Sequence, residues 1–261
     1  MNITPSMINT YMTCPAKAKY AYIDKLTRPP GASLIVGRAF DEAVSHFWQA
    51  RLAGQRPPDC REVYVETLRA ESEPVELSPD DKSFIEEAKD SGAKAVSVYI
   101  DTVGPRIVPG GVQVPRSMRA REHTVYGRAD LIGATPKSVK VTPRCILVAD
   151  VKTSRRKTDH IKSDELVQLV SYATRDTEAP LIEYPIVQIH RALITRTPTV
   201  SIITHRLEPQ DAKYVESLAA HVARSFEAGA FPPNRESFVC SRRFCPFWKT
   251  CEEEYGGRVR E

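Results

Sequence analysis

Two aspartates and a lysine near the middle of the chain have the types and spacing to hold a divalent cation beside an amine. Asp130 closes the run Gly127-Arg128-Ala129-Asp130, while Asp150 and Lys152 lie in Ala149-Asp150-Val151-Lys152-Thr153. In an extended strand alternate residues share a face, so Asp150 and Lys152 point one way and Val151 the other. Asp150 follows four apolar residues, Ile146 to Ala149, where an uncompensated carboxylate is costly. A hard cation would compensate it: two carboxylates and the Val151 carbonyl make an oxygen donor set suited to magnesium or manganese. A metal acidifies its bound water and polarises a phosphoryl oxygen, and an amine can orient that water and offset phosphate charge. The set therefore suits phosphodiester hydrolysis. The plain alternative is a surface hairpin carrying an Asp–Lys ion pair.

The elements that must position these groups follow from periodicity and breakers. Residues 4–13 read as a helix with Thr4 or Ser6 as cap, ending at Cys14-Pro15. A second helix is predicted over 33–52, where Ala39, Ala43, Phe47 and Ala50 fall near helical spacing, and further helices over 60–72 and 79–101. Residues 104–115 hold three prolines and three glycines and read as a loop or linker. Beyond it, residues 121–133, 144–153, 183–195 and 199–207 are rich in β-branched side chains and read as strands. Residues 146–149 are continuously apolar, as in a central strand covered on both faces. Pro136 and Pro143 bracket the connection between the first two strands, and helices are predicted over 164–175 and 209–226. Helices first and then strands with an intervening helix indicate a mixed α/β core with helical additions.

The chain has 261 residues, 27% of them charged and 41% hydrophobic, with a net charge of +4. It has no apolar run of membrane-spanning length and no signal-like start, so a cytoplasmic protein is expected. The mild positive charge permits a nucleic-acid partner without requiring one. Of six cysteines, Cys60 and Cys145 are isolated and read as buried apolar residues, whereas Cys240, Cys245 and Cys251 lie within twelve positions. No Gly-x-x-x-x-Gly-Lys-Ser/Thr loop is present, so no P-loop motor is expected.

Together these motifs resemble the PD-(D/E)XK nuclease superfamily. Gly127 to Asp130 is similar to its second motif and Asp150-Val151-Lys152-Thr153-Ser154 to its third, while Gln168 and Tyr172, four apart on one helix, match the Gln-x-x-x-Tyr motif of its RecB-type branch. The opening Ser6 to Pro15, followed by Tyr20-Ala21-Tyr22-Ile23, resembles AddB-like and CRISPR-associated RecB-like nucleases. The resemblance implies a restriction-endonuclease-like α/β fold, with a mixed central sheet flanked by helices. It implies a helical region over 1–115, a nuclease core over 116–230 and a cysteine segment over 231–261 that joins both termini through a cluster.

In that family the cysteine before proline and three C-terminal cysteines ligate a [4Fe–4S] cluster, here Cys14, Cys240, Cys245 and Cys251. The chain has four residues between its second and third cysteines where the family commonly has two, and a four-thiolate zinc site or free thiols are the alternatives. The family also draws a metal ligand from a histidine four residues after an early-helix glycine. Gly37 is followed at that offset by Asp41, with His46 five residues beyond and about 140° further round the helix. Asp41 is the favoured ligand and His46 the alternate.

These implications give a reading as a nuclease acting on single-stranded DNA or duplex ends. Asp130, Asp150, Lys152, Gln168 and Tyr172 are its expected catalytic groups, and Asp41, Asp130, Asp150 and the Val151 carbonyl its expected ligands for Mg²⁺ or Mn²⁺. Arg128, Arg155, Arg156 and Lys157, with His160 and Lys162 further on, are expected to meet the DNA backbone. Arg242 and Arg243, beside Phe244, Phe247 and Trp248, either meet DNA or pack on the cluster. A helicase, recombination or CRISPR partner and an oligomer are compatible with this reading. The alternative of a different class is a non-catalytic iron–sulfur subunit that binds DNA within a larger assembly.

Overall fold

The buried run Leu147-Val148-Ala149 sets the layout. In the computed structural model, which describes residues 1–136, 147–174 and 185–261, it opens a strand whose first four residues are all buried. Its side chains alternate between two cores, Val148 in one and Leu147 and Ala149 in the other. A strand buried on both faces belongs at the centre of a sheet with helices on both sides, and that is the arrangement observed.

In chain order the sheet is built from β1 (Asn2–Ile3), β2 (Val108–Ala120), β3 (His123–Ala134), β4 (Leu147–Ser154), β5 (Ile186–Leu193) and β6 (Val200–Arg206). It is mixed: β3 pairs antiparallel with β4, β4 parallel with β5, and β5 antiparallel with β6. A parallel neighbour needs a crossover, which carries a helix here. β2 runs antiparallel along the whole of β3, so β1 and β4 share the opposite edge of that strand. β1 meets it at Thr124 and Val125 and β4 at Leu131 to Gly133, which leaves residues 126–130 without a strand partner on that edge among the described residues.

The helices are α1 (Pro5–Thr13), α2 (Pro15–Ala18), α3 (Ala32–Leu52), α4 (Cys60–Ser72), α5 (Pro79–Val103), α6 (Ser163–Ala173), α7 (Pro209–Glu227) and α8 (Trp248–Tyr255). Capping follows sequence. Thr4 accepts from Met7 N at 3.2 Å, Asp59 accepts from Arg61 N and Glu62 N, and Ser78 accepts from Asp81 N. α1 stops at Cys14, which is extended because Pro15 follows it. α3, α4 and α5 cover one face of the sheet around Phe40, Trp48, Tyr64 and Tyr99; α1, α6 and α7 cover the other around Val170, Val215 and Phe226. No helix of the described residues is long and apolar enough to cross a membrane.

The expected loop over 104–115 is mostly strand, and β2 runs across the 115/116 boundary expected between regions. Proline and glycine misled because β2 is an edge strand, where a missing N–H costs no ladder bond. Its irregularities are real: the register shifts between Pro109 and Gly111, and Gln113 has φ 51°. Residues 144–146 of the second expected strand, the first residues of the third, Pro143, Cys145 and Arg175 lie outside the described residues. α8 and the short β1 were not anticipated.

Candidate active site

β3 loses its regular alternation at Asp130. Ala129 packs in the α6–α7 core, yet Leu131, two residues on, packs in the α3–α5 core. Directly across, β2 bends at Gln113, and the paired register passes over Gln113 and Asp130. Pairing with β4 also ends here, at Leu131 opposite Ala149. Past that point the Val151 N–H donates to the Asp130 carboxylate, with Oδ2 at 2.8 Å. The two strands diverge and open a cleft.

The cleft, of about 330 Å³, is lined by Asp130, Asp150, Val151, Lys152, Thr153 and Gln168, together with Gly37, Arg38 and Asp41 from the start of α3. Asp150 is 1% exposed, and neither of its carboxylate oxygens is in hydrogen-bond geometry with a neighbour. Lys152 Nζ stands 2.7 Å from Oδ2 as an ion pair. From the lysine a chain of bonds runs along α6: Nζ donates to Gln168 Oε1 at 3.1 Å, and Gln168 Nε2 donates to Tyr172 Oη at 3.1 Å. The four-residue spacing puts amide and phenol on one helical face, so that Tyr172 can hold the amide that meets the lysine. Gly127 makes this possible, because a Cβ there would lie 2.2 Å from Tyr172 Cε1.

Charge at the cleft is poorly compensated. Burial, then the charges of Asp150 and Asp41, pushes the Asp130 carboxyl well above the usual range. Burial also raises Asp150, with the Lys152 ammonium pulling the other way, and burial with Asp150 raises Asp41 to about 6. Burial would lower Lys152, but Asp150 and Asp130 outweigh it and the amine stays protonated. Tyr172 is raised, chiefly by burial. As the side chains stand, no three His, Cys, Asp or Glu among the described residues are gathered into a metal-holding group. The donors nevertheless suit a hard divalent cation: they are all oxygen, mutually repelling, and include the buried Asp150 carboxylate, whose Oδ1 has no hydrogen-bond partner.

The remaining expected residues are distributed as follows. Asp41 reaches the cleft, where Gln113 Nε2 donates to its Oδ2 at 3.2 Å and approaches Ser45 Oγ at 3.3 Å. His46 does not: its Nε2 meets Glu42 Oε1 at 3.1 Å on the exposed side of α3, as the helical rotation between positions 41 and 46 requires. Arg128, Arg156 and Lys157 are exposed, and the Arg155 guanidinium lies over the Phe84 ring at 4.8 Å. Cys14, Cys245 and Cys251 share a small core with Tyr20 and Phe247, Cys240 is also buried, and burial raises the thiols of Cys245 and Cys251. Cys14 Sγ accepts from Asn234 N at 3.4 Å. Arg242 stacks over Trp248 and Arg243 over Phe244. Cys60 is a buried residue of the α3–α5 core.

Four residues near the cleft were missed in the sequence. Arg38 lines it and pairs with Glu71 at 3.2 Å, and Gln113 holds Asp41. Arg191 and Glu165 form a buried ion pair, with Nη2 2.8 and 2.9 Å from the two carboxylate oxygens. Arg191 is the register partner of Lys152 on β5, and Glu165 lies one turn before Gln168 on α6. A charged residue inside the apolar run of β5 was the available signal for this pair.

The model of the PD-(D/E)XK nuclease superfamily matches residues 2–252. The chain belongs to that superfamily. Among solved structures, one from Eubacterium rectale named "Putative exonuclease" is 11% identical, covers 97% of this chain and 88% of its own, and superposes with a TM-score of 0.56. At that identity the likeness speaks for the fold alone. SSO0001, 16% identical over 94% of this chain and 83% of its own, has a TM-score of 0.40 and carries no argument. A search of curated protein sequences found no relative. In the superfamily's terms the cleft at the divergence of β3 and β4 is the candidate nuclease centre, and its mixed sheet between two helical layers is the restriction-endonuclease-like core. Nucleases of this superfamily generally use Mg²⁺ or Mn²⁺.

Proposed function

We propose that this chain is a metal-dependent DNA nuclease of the RecB/AddB-like branch, hydrolysing phosphodiester bonds in single-stranded DNA or at duplex ends as an exonuclease. The observation that carries the reading is the convergence of Asp41, Asp130, Asp150 and Lys152 on one cleft where two strands part. Asp130, Asp150 and the Val151 carbonyl, with Asp41 from α3, would hold Mg²⁺ or Mn²⁺. When bound, the cation supplies Lewis acidity toward a phosphoryl oxygen and an acidified water.

The protein's own groups do the rest. Lys152, kept charged by its two aspartates, offsets charge on the scissile phosphate and holds the proton network of the attacking water. Gln168 and Tyr172 fix where that amine points, and preorganisation of this kind lowers the cost of reaching the transition state. Arg128, Arg156 and Lys157 are exposed cations that would meet the phosphate backbone. At the far end of the molecule, Cys14, Cys240, Cys245 and Cys251 would ligate a [4Fe–4S] cluster tying the N-terminal helices to the C-terminal segment. That reading is supported by Cys14, Cys245 and Cys251 meeting in one small core, with Cys240 also buried. Cross-linking positions so far apart in sequence limits the unfolded chain strongly. A cytoplasmic enzyme working with a helicase or recombination partner fits this reading.

The test is incubation of end-labelled DNA, linear and circular, with Mn²⁺ and the intact protein, Asp150→Ala or Lys152→Ala. Cutting of linear strands by the intact protein, lost in both folded variants, supports the reading. Folded, metal-supplied intact protein that cuts nothing favours a non-catalytic DNA-binding subunit instead.

A further inference from the structure

Beside the cleft lies a second, smaller recess of about 100 Å³, lined by Ser33, Val36, Phe84, Thr153, Ser154, Arg155 and Ile194. It shares Ser33 and Thr153 with the cleft, so the two adjoin. Its walls are sorted by chemistry. Val36 and Ile194 are buried and apolar, and Phe84 packs half-buried against the same core. Ser33 and Thr153 contribute hydroxyls to the lining, the Ser154 hydroxyl is taken up by the Arg156 backbone, and the exposed Arg155 guanidinium stands over the Phe84 ring, 4.8 Å from its centroid.

We propose that this recess receives one unpaired nucleobase of the bound strand, next to the phosphate held at Asp150 and Lys152; the inference rests on the nuclease reading above. The guanidinium lies on the Phe84 ring, and its outer face, backed by that ring, is a flat cationic surface of the kind on which bases stack. An apolar floor with hydroxyls in the lining suits a heterocycle whose faces are apolar and whose edges bond. The recess is too small for a base pair. A duplex would therefore have to fray before its terminal phosphate reaches the acids, which gives a preference for single strands and open ends. Stacking on a π face is sequence-tolerant, so no base preference is expected. The role differs from a backbone contact: Arg155 acts here as a plane, and lysine cannot replace it in that.

The experiment uses labelled single strands with one abasic position walked along the sequence, cut in Mn²⁺ and, separately, bound in EDTA with anisotropy as the readout. An abasic residue beside the scissile phosphate is expected to weaken binding and raise KM by roughly 5- to 150-fold, the range that stacking of one base supports. Phe84→Leu keeps apolar volume without a flat face, and Arg155→Lys keeps charge without a plane. Each should weaken binding of an intact strand, and in each the abasic penalty should shrink toward none. Equal binding of intact and abasic strands by the unaltered protein overturns the proposal, as does Arg155→Lys behaving like the unaltered protein. A protein that binds strands with the abasic penalty yet cuts none keeps the base site and overturns only the nuclease reading.

Discussion

A single methyl group placed on β3 should disturb the lysine on β4, because Gly127 is the surface on which Tyr172 rests. A Cβ at that position falls 2.2 Å from Tyr172 Cε1, 3.0 Å from Cζ and 3.1 Å from Oη. Carbon atoms pack best at about 3.5–4.0 Å, so the ring must retreat by more than ~1 Å. It has little room: Tyr172 is 6% exposed and belongs to the α6–α7 core. Overpacking of this kind costs about 1–3 kcal/mol. Alanine in a strand otherwise gains about 0.5–1 kcal/mol over glycine, so Gly127→Ala should be net destabilising by roughly 0.5–2 kcal/mol. In a Tyr172→Ala background the clash is gone, and the same methyl should become neutral or stabilising by about 0.5–1 kcal/mol. Urea unfolding of the four proteins, with unchanged m-values, reads both numbers. Nuclease activity should follow, since a displaced Tyr172 releases Gln168 and Gln168 releases Lys152; a loss of about tenfold or more is expected, against little loss of fold. An equal stability cost in both backgrounds would refute the reasoning, because the methyl would then be meeting something other than the ring.

Three further outcomes are expected. Replacing either member of the Glu165–Arg191 pair alone should cost about 3–5 kcal/mol by leaving a buried charge, while Glu165→Leu with Arg191→Met should cost far less; chemical denaturation of the three variants checks this. The metal-free protein should lose stability as pH rises. Asp41 holds its proton up to about 6 in the folded state against 3.8 ordinarily, and Asp130 and Asp150 are raised too, so their stabilising contribution is present below the unfolded values and lost as pH passes the folded ones. The half-buried Asp41 accounts for up to about 2 kcal/mol of this after solvent screening, and Mn²⁺ should raise the melting temperature more at high pH than at low. Anaerobically prepared protein should be brown with roughly four irons per chain, and Cys251→Ser should bleach it; colourless protein with stoichiometric zinc would replace the cluster by a four-thiolate zinc site.

Much of the site was legible because strand periodicity carries it. Asp150, Val151 and Lys152 follow an apolar run that reads as a covered central strand, and the alternation there is regular. Gln168 and Tyr172 were legible through the Gln-x-x-x-Tyr motif of the resemblance, and helical spacing added only that they share a face. Gln113 was not, since it sits in a segment whose prolines and glycines read as loop and whose strand character comes entirely from pairing with β3. The rotation of β3 at Asp130 was equally hidden: it arises where the neighbouring strands bend or part, which local sequence does not encode. Asp41 was favoured over His46 by its offset from Gly37 and its hard carboxylate, and helical phase kept the two from facing one ion together. The Glu165–Arg191 pair needed the β4–β5 register and the packing of α6, both long-range facts.

Titration of Mn²⁺ into metal-free protein above pH ~7, read by the loss of the free-ion EPR signal, bears most directly on whether these acids make a cation site. Saturable binding by the unaltered protein and by Lys152→Ala, weakened about tenfold or more in Asp130→Asn and Asp150→Asn, is the expected result. Binding that is absent, or the same in all four proteins, would contradict the account.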